Sequence, residues 1–223
     1  MRQCATTLES EISCAEMDSL LEVLSRKKFQ EAHLEIGTAA GGTLCQLNCF
    51  YRENADSSPL FMVVDPLKYF PRQFEIVRQN LENHEVDPAE IEFLKSSSKE
   101  AFLSVSADPP DLDFILVDGN HKIRYVTEDL RWARFLRVGG ILCAHDYTPS
   151  HPGVYLSLNR FLKKHKNYKI LSQVETLLII EKCEPTPSGV LEISFGDRLL
   201  ATARAPWFQL KASLAKRLNR GRH

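Results

Sequence analysis

Short apolar runs alternate with amphipathic segments through most of this sequence, and that alternation restricts the fold more than any other feature does. The apolar runs predict strands at residues 32–36, 60–64, 91–94, 113–117 and 141–144. Apolar residues at helical spacing predict helices at residues 19–29, 41–51, 72–83, 97–105, 123–136 and 154–165. A chain that alternates strands and helices in this way is expected to form a parallel sheet with helices on both faces.

Two further strands are predicted at residues 168–172 and 176–181. The link between them is too short for a parallel crossover, so we expect an antiparallel hairpin at the edge of the sheet. The predicted fold class is therefore α/β, with a mostly parallel seven-stranded sheet, helices on both faces and an antiparallel edge hairpin.

Turn-forming residues at 184–189 predict a linker. We therefore expect one domain over residues 1–183 and a C-terminal extension over residues 184–223. An apolar stretch at 190–195 can add a strand, and a basic amphipathic helix is predicted from Trp207 onward. This helix either docks on its own domain with a solvated basic face or contacts an anionic membrane or a protein partner.

The composition is that of an ordinary soluble globular protein, with 43% hydrophobic residues, 26% charged residues and a formal charge of −1. This balance does not indicate a nucleic-acid partner. No leader-like segment is expected at the N-terminus, and no apolar run is long enough to cross a bilayer. The six cysteines include no pair with two-residue spacing, which favours a reduced interior. A cytoplasmic protein is expected, and the oligomeric state is left open.

Polar groups follow two of the predicted strands, at the point where each strand ends. The segments are Val117-Asp118-Gly119-Asn120-His121 and Ala144-His145-Asp146-Tyr147. If the strands are parallel neighbours, these groups meet at one crevice, where open α/β sheets bind ligands. Side chains alternate along a strand, so Asp146 is expected to face the crevice, and His145 to hydrogen-bond locally or pack against a neighbouring helix.

A glycine-containing turn follows the first strand, in the segment Glu35-Ile36-Gly37-Thr38-Ala39-Ala40-Gly41-Gly42-Thr43. Glycines permit a sharp turn and a close ligand, while the N–H groups of the next helix supply donors. Asp65 ends the second strand, where an acid can accept both hydroxyl hydrogens of a ribose. Because Pro66 follows it, Asp65 can equally serve only to close a turn.

These segments resemble the class I S-adenosylmethionine-dependent methyltransferases, and the likeness spans about residues 32–182. It rests on the ordered blocks Leu34-Glu35-Ile36-Gly37, Val63-Val64-Asp65-Pro66, Val117-Asp118-Gly119-Asn120-His121 and Gly139-Gly140-Ile141-Leu142. Within that superfamily the chain is similar to a group of small-molecule O-methyltransferases with an Asp-Gly-x-His motif (Methyltransferase 24-like). Tyr125, Asp129 and Trp132 extend the match. The resemblance implies the Rossmann-like class I methyltransferase fold.

The resemblance also implies which residues bind S-adenosylmethionine. The turn from Gly37 to Gly41 would pass around its methionine part, Asp65 would hold the ribose hydroxyls, and Asp118 would lie beside the transferred methyl group. Serines after the third strand would lie near adenine. The full predicted set is Glu35, Gly37, Thr38, Ala39, Gly41, Asp65, Ser96, Ser97 and Asp118.

The related catechol-type enzymes bind a divalent cation through acids that end the fourth and fifth strands, which correspond to Asp118 and Asp146. Mg²⁺ or another divalent cation is therefore an expected cofactor. Such an ion lowers the pKa of an attacking hydroxyl, and His121 can take the proton as general base. The chain departs from that pattern at two positions, because His121 stands where those enzymes have a Lys and Tyr147 where they have an amide.

Together these features predict methyl transfer from S-adenosylmethionine to an oxygen of a small molecule, either a sugar hydroxyl or a natural-product phenol. His121 and Asp118 are the predicted catalytic residues. One alternative is a cofactor-binding fold that has lost catalysis and acts as an interaction module. Another is a nicotinamide-dependent oxidoreductase, which Ala39 disfavours because it replaces the second glycine of the dinucleotide motif.

Overall fold

The computed structural model describes residues 11–54, 58–186, 193–204, 207 and 210. Seven strands form one sheet in the order β3-β2-β1-β4-β5-β7-β6. The strands are β1 (Ala32–Ile36), β2 (Phe61–Val64), β3 (Ile91–Leu94), β4 (Leu112–Val117), β5 (Leu136–Ala144), β6 (Tyr168–Val174) and β7 (Leu177–Lys182).

The first five strands run parallel, and β7 pairs antiparallel with both β5 and β6. The predicted fold class is confirmed, including the antiparallel hairpin at the edge of the sheet. The chain leaves β1 toward β2 on one side and returns to β4 on the other, so the order reverses between β1 and β4. Open α/β sheets bind ligands at such a switch point.

Seven helices lie among the described residues and cover both faces of the sheet. They are α1 (Cys14–Ser25), α2 (Gly42–Asn54), α3 (Gln73–Asn83), α4 (Ser98–Val105), α5 (Ile123–Asp129), α6 (Pro152–Lys164) and α7 (Phe195–Leu199). Apolar residues of α1, α2 and α3 form one core with one face of the sheet. Residues of α4, α5 and α6 form a second core with the other face. No helix in the described part of the chain is long and apolar enough to cross a membrane.

Helix α1 begins and ends earlier than the apolar spacing predicts. Ser13 is its N-cap, and the Ser13 and Glu16 side chains each accept a hydrogen bond from the backbone N–H of the other residue. This reciprocal capping box satisfies two N–H groups that the helix itself cannot. The spacing of Ser13 and Glu16 is a sequence signal for a helix start, and it places Glu16 in the first turn.

The boundary between α5 and β5 also differs from the prediction. Helix α5 ends at Asp129, a 3-10 turn covers Leu130–Arg134, and β5 begins at Leu136 rather than at residue 141. Leu136 pairs with Leu112, after which the register shifts. Gly139 has a φ of +83° within the shifted segment, so the two glycines lie inside the strand as an irregularity and do not precede it.

The described part of the C-terminal extension packs against α6. Ser194 caps α7, and Asp197 in its first turn pairs with Arg160 and Lys164 of α6. The strand predicted at residues 190–195 lies partly outside the described residues; in its described part, residues 193 and 194 form no strand and α7 begins at Phe195. The predicted basic helix lies almost wholly outside the described residues.

Candidate active site

A cavity of about 550 Å³ opens at the carboxyl ends of β1, β2 and β4. Its walls come from the loops that follow these strands and from α4 and α5. The residues that line it are Glu11, Ile36, Gly37, Ala39, Val64, Asp65, Pro66, Lys68, Tyr69, Ser97, Ser98, Asp118, Gly119, Asn120, His121, Tyr125 and Asp129. The cavity lies at the switch point of the sheet and is large enough for a nucleotide-sized ligand.

The glycine turn forms one wall of the cavity. Gly37 has a φ of +86°, and a Cβ on it would lie 2.6 Å from the Cα of Gly119. Only glycine permits both the left-handed conformation and this close approach of two loops. Side chains of α3 hold the turn from outside, since Gln73 donates to the Ala39 carbonyl at 3.0 Å and Asn80 to the Ala40 carbonyl at 2.8 Å.

Asp65 closes the turn after β2 and also lines the cavity. Its Oδ1 accepts from the backbone N–H of Leu67 at 2.6 Å, which closes the turn after β2. Its Oδ2 accepts from the N–H of Thr38 at 3.0 Å, and the residue also lines the cavity. The carboxylate is thereby fixed in place with acceptor capacity left for a ligand.

Glu35, Thr38 and Gly41 support the turn and are not among the residues that line the cavity. Thr38 donates from Oγ1 to Glu35 Oε2 at 3.0 Å. Burial raises the pKa of Glu35 to about 8 against the lowering effect of that hydrogen bond. The Glu35 carboxyl is therefore largely protonated at neutral pH, so its burial does not cost the energy of an isolated buried charge.

The serines after β3 differ in whether they line the cavity. Ser97 lines the cavity, as does Ser98, which the sequence reasoning missed, whereas Ser96 is not among the lining residues. Ser97 is the N-cap of α4 and Ser98 is its first residue. Asp129, at the end of α5, also lines the cavity and is buried, and this burial raises its pKa to about 7.

Asp118, His121 and Asp146 come together beside the cavity, although they leave different strands. Asp118 and His121 line the cavity. His121 Nε2 lies 2.9 Å from Asp146 Oδ2, and the His121 side chain is 39% exposed. The hydrogen bond to Asp146 raises the pKa of His121, in spite of its partial burial. Asp146 thus fixes one ring nitrogen of His121.

His145 contacts helix α1 through Glu16, as one part of the prediction had it, but the prediction that His145 and Asp146 face different ways is wrong, because both join the same cluster. His145 Nδ1 lies 3.1 Å from Asp118 Oδ1 and 3.9 Å from Asp146 Oδ2. Strand β5 ends at Ala144, and Asp146 has a φ of +57°. This left-handed turn, which an Asp adopts at little cost, breaks the alternation on which the prediction relied.

Two residues that sequence reasoning missed complete the cluster. His151, the N-cap of α6, places Nδ1 3.1 Å from Asp146 Oδ1. Glu16 of α1 is 2% exposed and places Oε2 3.4 Å from His145 Nε2. Burial lowers the pKa of His145, but the hydrogen bond to Asp118 and the surrounding carboxylates raise it to about 9.

The donor atoms of this cluster suit a divalent cation. Those of Asp118, His145 and Asp146 lie within 4.8 Å of one another, and the same holds for His121, Asp146 and His151. Carboxylate oxygens and imidazole nitrogens are common ligands of divalent metals. Tyr147 is no part of the cluster, since its hydroxyl donates to Asn159 Oδ1 at 3.1 Å and its ring packs in the core.

The sequence profile described as "Methyltransferase domain" matches residues 34–147, which is half of the chain. The chain therefore belongs to this methyltransferase family and is an S-adenosylmethionine-dependent methyltransferase, as the resemblance implied. The matched range runs from β1 through Tyr147 and so contains the glycine turn, Asp65, Asp118, His121 and Asp146. No curated protein matches the chain.

Solved structures with the same fold include several O-methyltransferases. The O-methyltransferase NovP is 16% identical with a TM-score of 0.63, over 75% of this chain and 78% of NovP. CalS11, the TDP-rhamnose 3'-o-methyltransferase of calicheamicin biosynthesis, is 14% identical with a TM-score of 0.62, over 74% of this chain and 76% of its own. An O-methyltransferase from Bacillus cereus in complex with SAH is 13% identical with a TM-score of 0.59, over 78% of this chain and 84% of its own. Identities this low establish the fold alone.

Proposed function

We propose that this methyltransferase transfers the methyl group of S-adenosylmethionine to an oxygen of a small molecule, of the sugar-hydroxyl or natural-product phenol class. The observation that carries the proposal is the pair of His121 and Asp146 at 2.9 Å beside a nucleotide-sized cavity. Neutral oxygen nucleophiles need a base, and a histidine held by a carboxylate is a common one. The match to a methyltransferase family disfavours the nicotinamide-dependent alternative.

Two structural neighbours support the acceptor class. CalS11 is a TDP-rhamnose 3'-o-methyltransferase, and TomG is an O-methyltransferase involved in tomaymycin synthesis. Both are similar to this chain in fold only, so the acceptor class remains our proposal.

Different residues of the cavity are proposed to bind different parts of S-adenosylmethionine. In this proposal Asp65 binds the ribose hydroxyls, the turn from Gly37 to Gly41 passes around the methionine part, and Ser97 contacts adenine. When bound, S-adenosylmethionine supplies an electrophilic methyl group, which the acceptor oxygen takes as the carbon–sulfur bond breaks. Asp118 lines the cavity next to Gly119 and is placed to orient the reacting groups.

His121 is the proposed base. A proton on Nε2 directed at Asp146 leaves Nδ1 as the basic nitrogen, which accepts the acceptor's hydroxyl proton. Asp146 then stabilises the imidazolium that forms, as a carboxylate does in other histidine–carboxylate pairs. A divalent cation on Asp118 and Asp146 would add electrostatic stabilisation of the developing oxyanion.

The first test is calorimetric titration with S-adenosylmethionine and S-adenosylhomocysteine. Binding of both is expected, and Asp65→Asn is expected to weaken it. The second test is a screen with isotopically labelled S-adenosylmethionine against nucleotide sugars and phenols. With any acceptor found, His121→Ala should lower the rate about 10²–10⁴-fold at unchanged cofactor affinity. His84→Ala, at the C-cap of α3, is the control.

The competing interaction-module reading makes the opposite prediction. If the chain binds the cofactor but labels none of the acceptors, or if His121→Ala leaves the rate unchanged, the proposed catalytic role is wrong.

A further inference from the structure

The cluster beside the cavity is rich in nitrogen for a magnesium site. Three imidazoles, those of His121, His145 and His151, lie within 3.1 Å of Asp118 or Asp146. Mg²⁺ prefers oxygen ligands and water, whereas imidazole suits transition metals such as Fe²⁺, Co²⁺, Ni²⁺ and Zn²⁺. The kind of donor therefore discriminates between classes of ion.

His145 is held as a metal-ligating histidine usually is. One ring nitrogen, Nε2, lies 3.4 Å from Glu16 Oε2, and the other, Nδ1, faces Asp118 and Asp146. A proton kept on Nε2, which faces Glu16, would leave Nδ1 to a metal ion, and binding of the ion would displace the Nδ1 proton. Ligating histidines commonly donate their second N–H to a carboxylate in this way, which fixes the ring and raises its basicity.

Glu16 is itself fixed from three directions, so it is a rigid support for His145. Its Oε1 accepts from the backbone N–H of Thr176 at 2.8 Å and from Thr176 Oγ1 at 2.7 Å. Its Oε2 accepts from the backbone N–H of Ser13 at 2.9 Å. Helix α1 and the edge hairpin thus orient the ring of His145, which directly follows β5.

We propose that Asp118, His145 and Asp146 bind one divalent transition-metal ion in preference to Mg²⁺, with Glu16 as the outer carboxylate. An ion with bonds of about 2.1 Å spans ligand atoms up to about 4.2 Å apart. The distances from His145 Nδ1 to Asp118 and to Asp146, 3.1 and 3.9 Å, lie within that span. His151 Nδ1 lies 3.1 Å from the second carboxylate oxygen of Asp146, Oδ1. The inference rests on the proposed function for the ion's role and leaves His121 as the base.

The test is metal binding to chelator-treated full-length protein without cofactor or acceptor. Co²⁺ is titrated by calorimetry and by its visible absorption, and Mg²⁺ is titrated in parallel. One Co²⁺ per chain is expected, with Mg²⁺ bound at least about 100-fold more weakly. His145→Ala should abolish the Co²⁺ absorption. His84→Ala, which removes an imidazole far from the cluster, should leave it unchanged.

Glu16→Gln supplies a second, milder variant in case His145→Ala does not fold. Loss of an outer carboxylate is expected to weaken Co²⁺ binding about 10–100-fold, because such partners typically contribute that much to affinity. Thermal unfolding of each variant shows whether it is folded before the titration.

Any of three results would overturn the inference. Either the protein fails to bind one Co²⁺ per chain, or it binds Mg²⁺ as tightly as Co²⁺, or the His145→Ala variant binds Co²⁺ as tightly as the wild type does. Titration of the same preparation with S-adenosylmethionine separates this outcome from a failure of the proposed function. Cofactor binding without Co²⁺ binding overturns only the metal inference, and Co²⁺ binding without cofactor binding supports it while overturning the proposed function.

Discussion

Gly37 is glycine for two physical reasons, and a second glycine of the chain allows them to be separated. Gly37 has a φ of +86° and lies against the backbone of Asp118 and Gly119. Gly139 has a φ of +83°, but a Cβ on it would meet nothing within 4 Å. The two positions share the conformational requirement, and only Gly37 has the steric one.

We predict that Gly37→Ala destabilises the protein more than Gly139→Ala does. The left-handed conformation costs each variant about 1–2 kcal/mol. Gly37→Ala should cost about 1–3 kcal/mol more, because the methyl group meets backbone that cannot move aside. Urea unfolding measures both, and cofactor affinity should fall only for Gly37→Ala. Equal losses of stability in the two variants would contradict the close approach of the two loops.

Asp129 makes stability depend on pH in a definite direction. Burial raises its pKa to about 7 in the folded protein, from the ordinary aspartate value of 3.8. The folded state therefore binds a proton that the unfolded state releases between about pH 4 and 7. Stability from this group is greatest below pH 4 and is lost as pH rises to about 7.

We predict that Asp129→Asn reduces the pH dependence of unfolding between pH 5 and pH 8. The wild-type carboxyl should contribute about 2–3 kcal/mol more to the free energy of unfolding at pH 5 than at pH 8. The amide of the variant does not titrate, so it should contribute equally at both pH values. Urea midpoints at the two pH values provide the measurement, with the exposed Asp108→Asn as control. An Asp129→Asn profile parallel to the wild type would show that this carboxyl does not carry the effect.

At the scale of the elements, Asp197 is the contact that fastens α7 to α6. Its carboxylate pairs with Arg160, lies 3.8 Å from Lys164 Nζ, and caps α7 through the Ser194 N–H at 2.8 Å. It is buried, so it combines an ion pair with a helix cap. This contact joins the described part of the C-terminal extension to the methyltransferase domain.

We predict that Asp197→Ala releases α7, because two cations on α6 and the cap lose their partner together. Trypsin should then cleave at Arg198 at least several-fold faster, while the rest of the domain stays resistant. Glu100→Ala is the matched control, since it removes the same position of the capping box at α4. Cleavage at Arg198 that is equally fast in wild type and variant would mean that α7 is not held by Asp197.

The elements that sequence periodicity predicted best are those whose burial is uniform. Strand β1 lies within two cores and was predicted at its observed bounds, and the antiparallel hairpin followed from the length of its connection. The error at α5 and β5 arose because Leu136 continues an apolar spacing but pairs with Leu112 of β4. Local pattern cannot reveal such a pairing, because it depends on a neighbouring strand.

Some residues of the candidate site could be predicted from the sequence and others could not. Asp118, His121 and Asp146 could be placed together from the sequence because neighbouring parallel strands end at one edge. His145 could not, since the left-handed Asp146 breaks the strand alternation. Glu16 and His151 reach the cluster from α1 and the start of α6, and no local signal links either of them to β4 or β5.

At the scale of the whole molecule, charge is distributed unevenly. Residues 198–223 contain seven of the 28 Lys and Arg residues and no Asp or Glu, so the preceding residues have 21 Lys and Arg against 29 Asp and Glu. Among the described residues, the Trp207 and Leu210 side chains within this range and the Phe195 side chain just before it are exposed. Exposed apolar residues beside many cations are typical of a segment that contacts an anionic surface.

We predict that the full-length protein binds vesicles containing phosphatidylserine and does not bind neutral phosphatidylcholine vesicles. Arg217→Gln with Arg220→Gln should weaken binding about thirtyfold, at about 1 kcal/mol for each cation lost. Co-sedimentation at low and high salt measures this, and Lys28→Gln with Lys163→Gln is the control. If the two double variants bind equally, the C-terminal cations do not form the contact.

Glu16 and Thr176, which meet at the cluster, are 160 residues apart in the chain. At about 5–20 residues per second, a ribosome needs roughly 10–30 s to add that length. A nascent chain therefore exposes the glycine turn, Asp118 and His145 before the hairpin that anchors Glu16 has emerged. The orientation of His145 must be among the last features to form during synthesis, so the protein acquires its complete site only when the hairpin closes the sheet.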